Sequence, residues 1–184
     1  SILKQYYLLY SFEIIIWIIG LGGSGKTSLA KRLYKTAKPK TDNLVLLDNP
    51  EIRNLFGGSD DKKFTPKIRR KLTNRLQKIC QLLDRSKINA ICSILCPFED
   101  IRRKNRKLFS KYYEIFLDAK IDIVKKRKAS LYSPKSKWAK TPKVGIEIPF
   151  EEPRKPDLIL NSNIKIDFSK TANKIYQTIR TKLL

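Results

Sequence analysis

Residues 14–27 read Ile-Ile-Ile-Trp-Ile-Ile-Gly-Leu-Gly-Gly-Ser-Gly-Lys-Thr, and this stretch decides the fold. Its first part, Ile14–Ile19, is a run of β-branched and aromatic side chains without a polar break, the composition of a strand buried on both faces. Its second part, Gly20–Thr27, fits GxxxxGK[ST] without a mismatch. Gly22, Gly23 and Gly25 are expected to take positive φ and turn their N–H groups toward one centre. A helix starting near Lys26 adds its N-terminal dipole there, which favours phosphate oxygens. The spacing gives Lys26 the β- and γ-phosphates of ATP and the Thr27 hydroxyl a Mg²⁺ ion, with Ser24 and Ser28 completing the nucleotide contacts. A glycine-rich turn without a ligand is the plainer alternative. A strand before the motif and a helix after it weigh against that alternative.

Outward from the loop, Leu29, Ala30 and Leu33 fall on one face of a helix. Leu44–Asp48 (LVLLD) is a second apolar run ending in a carboxylate, expected to lie beside the first strand because consecutive elements are usually neighbours. Asp48 would then stand at the mouth of the phosphate loop, where ligands bind in open α/β sheets. Its alternative role is a cap for the segment starting at Pro50. A long helix is predicted from about Pro66 to Arg85, with Ile68, Leu72, Leu76, Ile79, Leu82 and Leu83 inward and Pro66 in its first turn. Ile88–Leu95 and Tyr113–Leu117 read as strands, Phe98–Phe109 as a basic helix, Leu158–Leu160 as a last strand and Asp167–Leu184 as a closing helix. Strands alternating with helices predict an α/β fold of three α/β/α layers around a mainly parallel sheet. One domain is expected over residues 1–184, with an N-terminal extension at 1–13 and a basic lid at 125–145.

Composition narrows the chemistry. The chain has 184 residues, of which 40 are Lys or Arg and 17 are acidic, for a net charge of +23. That field attracts nucleotides, nucleic acid or acidic surfaces, although a lysine-rich composition alone would produce it. With no histidine, His-based acid/base catalysis and Ser-His triads are excluded. Cys80, Cys92 and Cys96 form no CxxC pair and read as reduced, buried thiols, which fits a cytoplasmic setting. Cys92 and Cys96 sit four apart around an extended strand, too far to bridge. Ile14–Ile19 is far shorter than the ~20 residues of a membrane span. It also lacks the flanks of a signal peptide.

From Ile15 to about Ile159 the chain resembles the adenylylsulfate kinase family. The carrying segments, in order, are the phosphate loop, the strand ending at Asp48, Glu51-Ile52-Arg53, Phe64-Thr65 with Arg69, Cys96-Pro97-Phe98 with Arg106, Arg127 with Leu131-Tyr132, Gly145–Pro153 and Pro156-Asp157-Leu158. The resemblance implies transfer of the γ-phosphoryl of ATP, with Mg²⁺, to the ribose 3′-hydroxyl of adenylyl sulfate. Lys26 and Mg²⁺ would offset charge on the transferred group, and Asp48 would orient the metal shell. Arg127 would open the lid over the nucleotide. Arg53, Arg69 and Arg106 would grip the acceptor's phosphosulfate, and Phe64 would stack on its base. Relatives of this kind are often dimers.

The chain also departs from the family pattern. Asp48-Asn49-Pro50 stands where the family has DGD, so the second aspartate is a proline. Ile68 and Leu72 replace an aspartate and an asparagine around Arg69. The lid reads RKASLY, one residue short of RDPKGLY, and Lys143 stands where the family has an aromatic wall of its base clamp. A kinase of another nucleotide-linked metabolite is therefore a second reading. A nucleic-acid binder is the third, on the basic stretches Arg102–Lys107 and Lys125–Lys143, with Tyr132 and Trp138 as stacking residues.

Overall fold

The computed structural model describes residues 13–55, 64–136 and 138–183. The N-terminal extension expected at 1–13 therefore lies, apart from Glu13, outside the described residues. Five strands are β1 (Ile15–Gly20), β2 (Leu44–Asp48), β3 (Asn89–Ser93), β4 (Tyr112–Asp118) and β5 (Leu158–Asn161). They form one parallel sheet in the order β2-β3-β1-β4-β5. The helices are α1 (Lys26–Ala37), α2 (Asn49–Leu55), α3 (Pro66–Arg85), α4 (Glu99–Leu108), α5 (Ile121–Arg127), α6 (Ala129–Tyr132) and α7 (Phe168–Leu183).

The period of two in β1 divides one apolar run between two cores. Ile14, Ile16 and Ile18 pack with Leu29, Ala30 and Leu33 of α1 and with Ala172, Ile175 and Ile179 of α7. Ile15, Trp17 and Ile19 pack with Ile52 of α2, Leu76 and Cys80 of α3 and Ile101 of α4. Helices thus cover both faces of the parallel sheet, giving the three-layer α/β/α fold.

Two expectations need correction. β2 is not next to β1, because β3 pairs with both, at Asp48↔Ser93 on one side and Ile18↔Ser93 on the other. All five residues of β3 are buried, so it takes an interior position, and the half-buried β2 takes the edge. The inward face of α3 is also rotated. Thr73, Leu76, Gln77 and Cys80 are its buried residues, whereas Leu82 is 66% exposed. The contact with α4 is partly polar, with Gln77 Nε2 donating to Asn105 Oδ1 at 2.7 Å. Thr65 caps α3, its Oγ1 accepting from the Ile68 N–H at 3.4 Å, with Pro66 in the first turn.

The topology decides where a ligand can sit. β1 has β3 on one side and β4 on the other, and the chain leaves it in opposite directions. The crevice beyond the carboxyl ends of β1 and β3 is the switch point of the sheet. Gly20, Asp48 and Ser93 all end strands there.

Candidate active site

The phosphate loop is built as its glycines require, with one difference. Gly23 and Gly25 have φ of 89° and 98°, where an L side chain is strained, but Gly22 is not among the glycines of positive φ. Gly22 is small for a different reason: a Cβ there would meet Leu131 Cδ2 at 2.6 Å. The lid packs directly on the loop, and the Tyr132 hydroxyl donates to the Gly22 carbonyl at 2.8 Å.

Lys26 is buried and its Nζ donates to the Leu21 carbonyl at 2.6 Å. Burial, helped by the charge of Lys128 and opposed by Asp48, lowers its pKa to about 7. Beside it, Thr27 Oγ1 donates to Asp48 Oδ1 at 3.0 Å and lies 3.3 Å from Ser93 Oγ. Asp48 Oδ1 also accepts the Asn49 N–H at 3.0 Å, so the carboxylate meets the first N–H of α2 and faces the loop at once. Three hard oxygens on three different elements are a donor set that suits Mg²⁺.

The cleft above the loop has a volume of about 410 Å³, the size of a small-ligand site. Six cations line it, Lys26, Arg53, Arg69, Arg127, Lys128 and Lys143, and among the described residues no acid does. Such a cleft concentrates polyanions. Its far end is aromatic. Phe64 and Trp138 meet edge to face with centroids 5.7 Å apart, and the Arg53 guanidinium lies 5.3 Å from one ring and 5.8 Å from the other. Burial lowers the Arg53 pKa, against the pull of Asp48.

The structure brings together Gly22, Gly23, Gly25, Lys26, Thr27, Ser28, Arg53, Phe64, Arg69 and Arg127 as cleft-lining residues, with Asp48 immediately behind Thr27. Ser24 is different. Its side chain is buried, its N–H is spent on the Leu21 carbonyl at 3.1 Å, and its carbonyl accepts from Ser162 Oγ at 2.7 Å. Arg69 is largely engaged with backbone, Nε on the Phe64 carbonyl at 2.9 Å and Nη2 on the Pro142 carbonyl at 3.0 Å. Burial lowers its pKa to about 10, with the charge of Arg53 adding to the effect. Arg127 grips the turn after β5, bonding Ser162 Oγ at 3.1 Å and the Ile164 carbonyl at 3.3 Å.

Arg106 is a correction. It does not line the cleft, because it pairs with Asp157 at 3.0 Å, donates to the Lys155 carbonyl at 2.6 Å and stacks on Tyr112. On α4 it faces β4 and the segment before β5, a face that position in a helix decides and residue type does not. Arg102, counted in a basic stretch, is 1% exposed and bonds the carbonyls of Cys96 and Glu151. Tyr132 and Trp138 both line the cleft. Sequence reasoning missed Ser93 and Lys128 as cleft residues. The convergence of strand ends would have pointed to Ser93, and the lid's packing on Gly23, whose Cβ would meet Lys128 Cβ at 3.1 Å, explains Lys128.

Comparison with known proteins gives the family and the fold. The family described as Adenylylsulphate kinase matches residues 13–161. The cytidine diphosphoramidate kinase of Campylobacter jejuni is 27% identical over 90% of this chain and 95% of that protein. The adenylyl-sulfate kinase of Buchnera aphidicola is 31% identical over 84% of this chain and 74% of that protein. The structure of the Mycobacterium tuberculosis APS kinase CysC, in complex with AMPPNP and APS, superposes with a TM-score of 0.75 at 23% identity, over 89% of this chain and 95% of that one, which speaks to the fold. A complete phosphate loop at the switch point of a parallel sheet, with a match across most of the chain, leads to one statement: this protein belongs to the adenylylsulphate kinase family and is a P-loop kinase.

Proposed function

We propose that the chain transfers the γ-phosphoryl group of ATP to a hydroxyl of a nucleotide-linked acceptor, with adenylyl sulfate and its ribose 3′-hydroxyl as the first candidate. One observation carries this reading. The cleft has a phosphate-binding end at Lys26 and Thr27 and an aromatic, arginine-lined end at Phe64, Trp138 and Arg53, in one continuous cavity. The first end suits a triphosphate, and the second suits a base with an anionic linkage.

Phosphoryl transfer needs positioning and electrostatics more than covalent help. Lys26 moves from the Leu21 carbonyl onto the phosphates and supplies positive charge where negative charge develops. Thr27 Oγ1 would hold Mg²⁺ directly, with Asp48 and Ser93 orienting its water shell. Bound there, the ion would neutralise phosphate charge. Lys128 and Arg127 close the cationic roof, and Tyr132 and Leu131 exclude water from above the loop. Pro50 cannot take a proton, so Asp48 is the carboxylate left to orient the attacking hydroxyl.

A second acceptor class is favoured by specific residues. Lys143 departs from the adenylyl sulfate pattern at the base clamp, and a relative similar over nearly its whole length carries the name cytidine diphosphoramidate kinase. The test is ADP release with Mg-ATP and each acceptor in turn, beside Lys26→Ala. Acceptor-dependent release that requires Lys26 supports the reading and names the acceptor. ATP binding without release for either nucleotide would sink it.

A further inference from the structure

The aromatic end of the cleft is tied to one short turn at residues 138–143. Lys143 is 9% exposed, and its Nζ donates to the carbonyls of Trp138 at 2.7 Å and Ala139 at 2.9 Å. The Thr141 N–H closes the turn on the same Trp138 carbonyl at 2.9 Å. Glu147 Oε2 accepts the Lys143 N–H at 2.7 Å, which fixes the base of the lysine. Arg69 reaches the turn from the other side through Pro142 and holds the carbonyl of Phe64. Two latches therefore set two rings against each other.

This arrangement is more than the packing of a loop. Burying an ammonium is unfavourable unless it is well bonded, and an apolar residue at 143 would avoid the problem if the place of the turn were immaterial. Phe64 has a φ of +36°, a strained conformation for a bulky residue, and Arg69 bonds its carbonyl. Strain and a buried charge converge on one pair of rings, Phe64 and Trp138, and that pair lines the cleft.

We propose that Trp138 is the wall that selects the acceptor's nucleobase and that Lys143 is the positioning residue that sets this wall. The residue at 143 thus supplies no ring itself but places one from five positions earlier. The proposal rests on the reading of the acceptor as nucleotide-linked and adds which residues discriminate among bases. A base lying flat between two rings needs about 7 Å between them, two contacts of about 3.5 Å. The pair stands at 5.7 Å, so stacking displaces the indole of Trp138.

Trp138 fluorescence reads this displacement, because the other tryptophan, Trp17, is fully buried in the core and provides a constant background. CMP and AMP are titrated into the full chain with AMPPNP present, using wild type, Lys143→Met, Lys143→Arg, Trp138→Phe and Trp138→Ala; the tryptophan-138 variants are read by calorimetry. Wild type responds to at least one nucleotide. Lys143→Met and Trp138→Ala weaken it about tenfold or more, the loss expected for a base–aromatic stack, and Lys143→Met changes the CMP-to-AMP preference. Lys143→Arg and Trp138→Phe recover most of the affinity. AMPPNP affinity falls clearly less than CMP or AMP affinity in each variant, because the Lys143 ammonium is spent on the carbonyls of its own turn. Unchanged CMP and AMP affinities in Lys143→Met and Trp138→Ala overturn the proposal. So does an equal fall in AMPPNP affinity, which marks the turn as structural only. A wild-type chain that binds AMPPNP but neither nucleotide defeats the nucleotide-linked reading itself.

Discussion

Replacing Arg102 with Met tests how much a buried charge network between α4, β4 and the segment before β5 contributes to stability. The guanidinium donates to the Cys96 carbonyl at 2.5 Å, to Glu99 Oε2 at 2.8 Å and to the Glu151 carbonyl, and its Nε lies 4.0 Å from Glu114 Oε1. Met fills similar volume against Phe150 but leaves these acceptors without this donor and Glu114 without the nearer of its two arginines. Removing one partner of a buried pair costs about 3–5 kcal/mol. The pH dependence gives a second signature. Burial already raises the Glu114 pKa while Arg102 lowers it, so without Arg102 the folded value rises further. The folded state then binds more protons than the unfolded one above the ordinary carboxylate range, and stability falls as pH rises through that window. Urea unfolding at pH 5 and pH 8 should therefore show a larger deficit at pH 8, and Glu114→Gln in the same background should restore part of it. A deficit below about 1 kcal/mol, equal at both pH values and unaffected by Glu114→Gln, would refute the argument.

Other consequences follow from the loop and the core. With the Lys26 pKa near 7, AMPPNP binding at pH 8 should take up about one proton and at pH 6 much less, because phosphate stabilises the charged form; calorimetry in buffers of different ionisation enthalpy measures this, and no uptake at pH 8 contradicts it. Gly25→Ala should destabilise the chain by about 1–3 kcal/mol and weaken AMPPNP binding. Its φ is 98° and the added Cβ would meet Phe168 Cζ at 2.7 Å. Phe168→Leu in that background should recover only the steric part, as thermal unfolding would show. Cys80 and Cys92 lie 3.5 Å apart, and burial pushes the Cys92 thiol well up and the Cys96 thiol to about 11. Native protein should thus react slowly with a thiol reagent such as DTNB and quickly in urea; rapid labelling of the native chain would show that these thiols are accessible.

Local physics was legible in the sequence, and long-range geometry was not. Gly20–Thr27 was legible as a P-loop because backbone conformation, helix dipole and lysine spacing are all set within eight residues. The five strands and the four long helices followed from the same short-range patterns, whereas the short helices α2, α5 and α6 were not foreseen. The order of strands did not, since the burial of β3 on both sides is decided by what packs above and below the sheet. Arg106 and Arg53 look alike in sequence, yet one faces Asp157 and the other the cleft. The exposure of Leu82 reflects an α3–α4 contact made through Gln77 and Asn105, which a rule based on apolar spacing does not foresee. Lys143 read as a lost aromatic; only the fold shows that its ammonium reaches back to the turn that carries Trp138.

The contact between lid and loop sets a clock for the enzyme. Tyr132 is hydrogen-bonded to Gly22, and Leu131 occupies the space where a Gly22 side chain would be, so the roof rests on the backbone proposed above to receive the phosphates. A nucleotide can leave no faster than that roof lifts, and lifting breaks a hydrogen bond and exposes the Leu131 side chain to water. On the proposed reading, residence time of the spent nucleotide would be set by two residues that take no part in bond making. Evolution could retune turnover through Leu131 and Tyr132 while leaving the phosphate loop untouched.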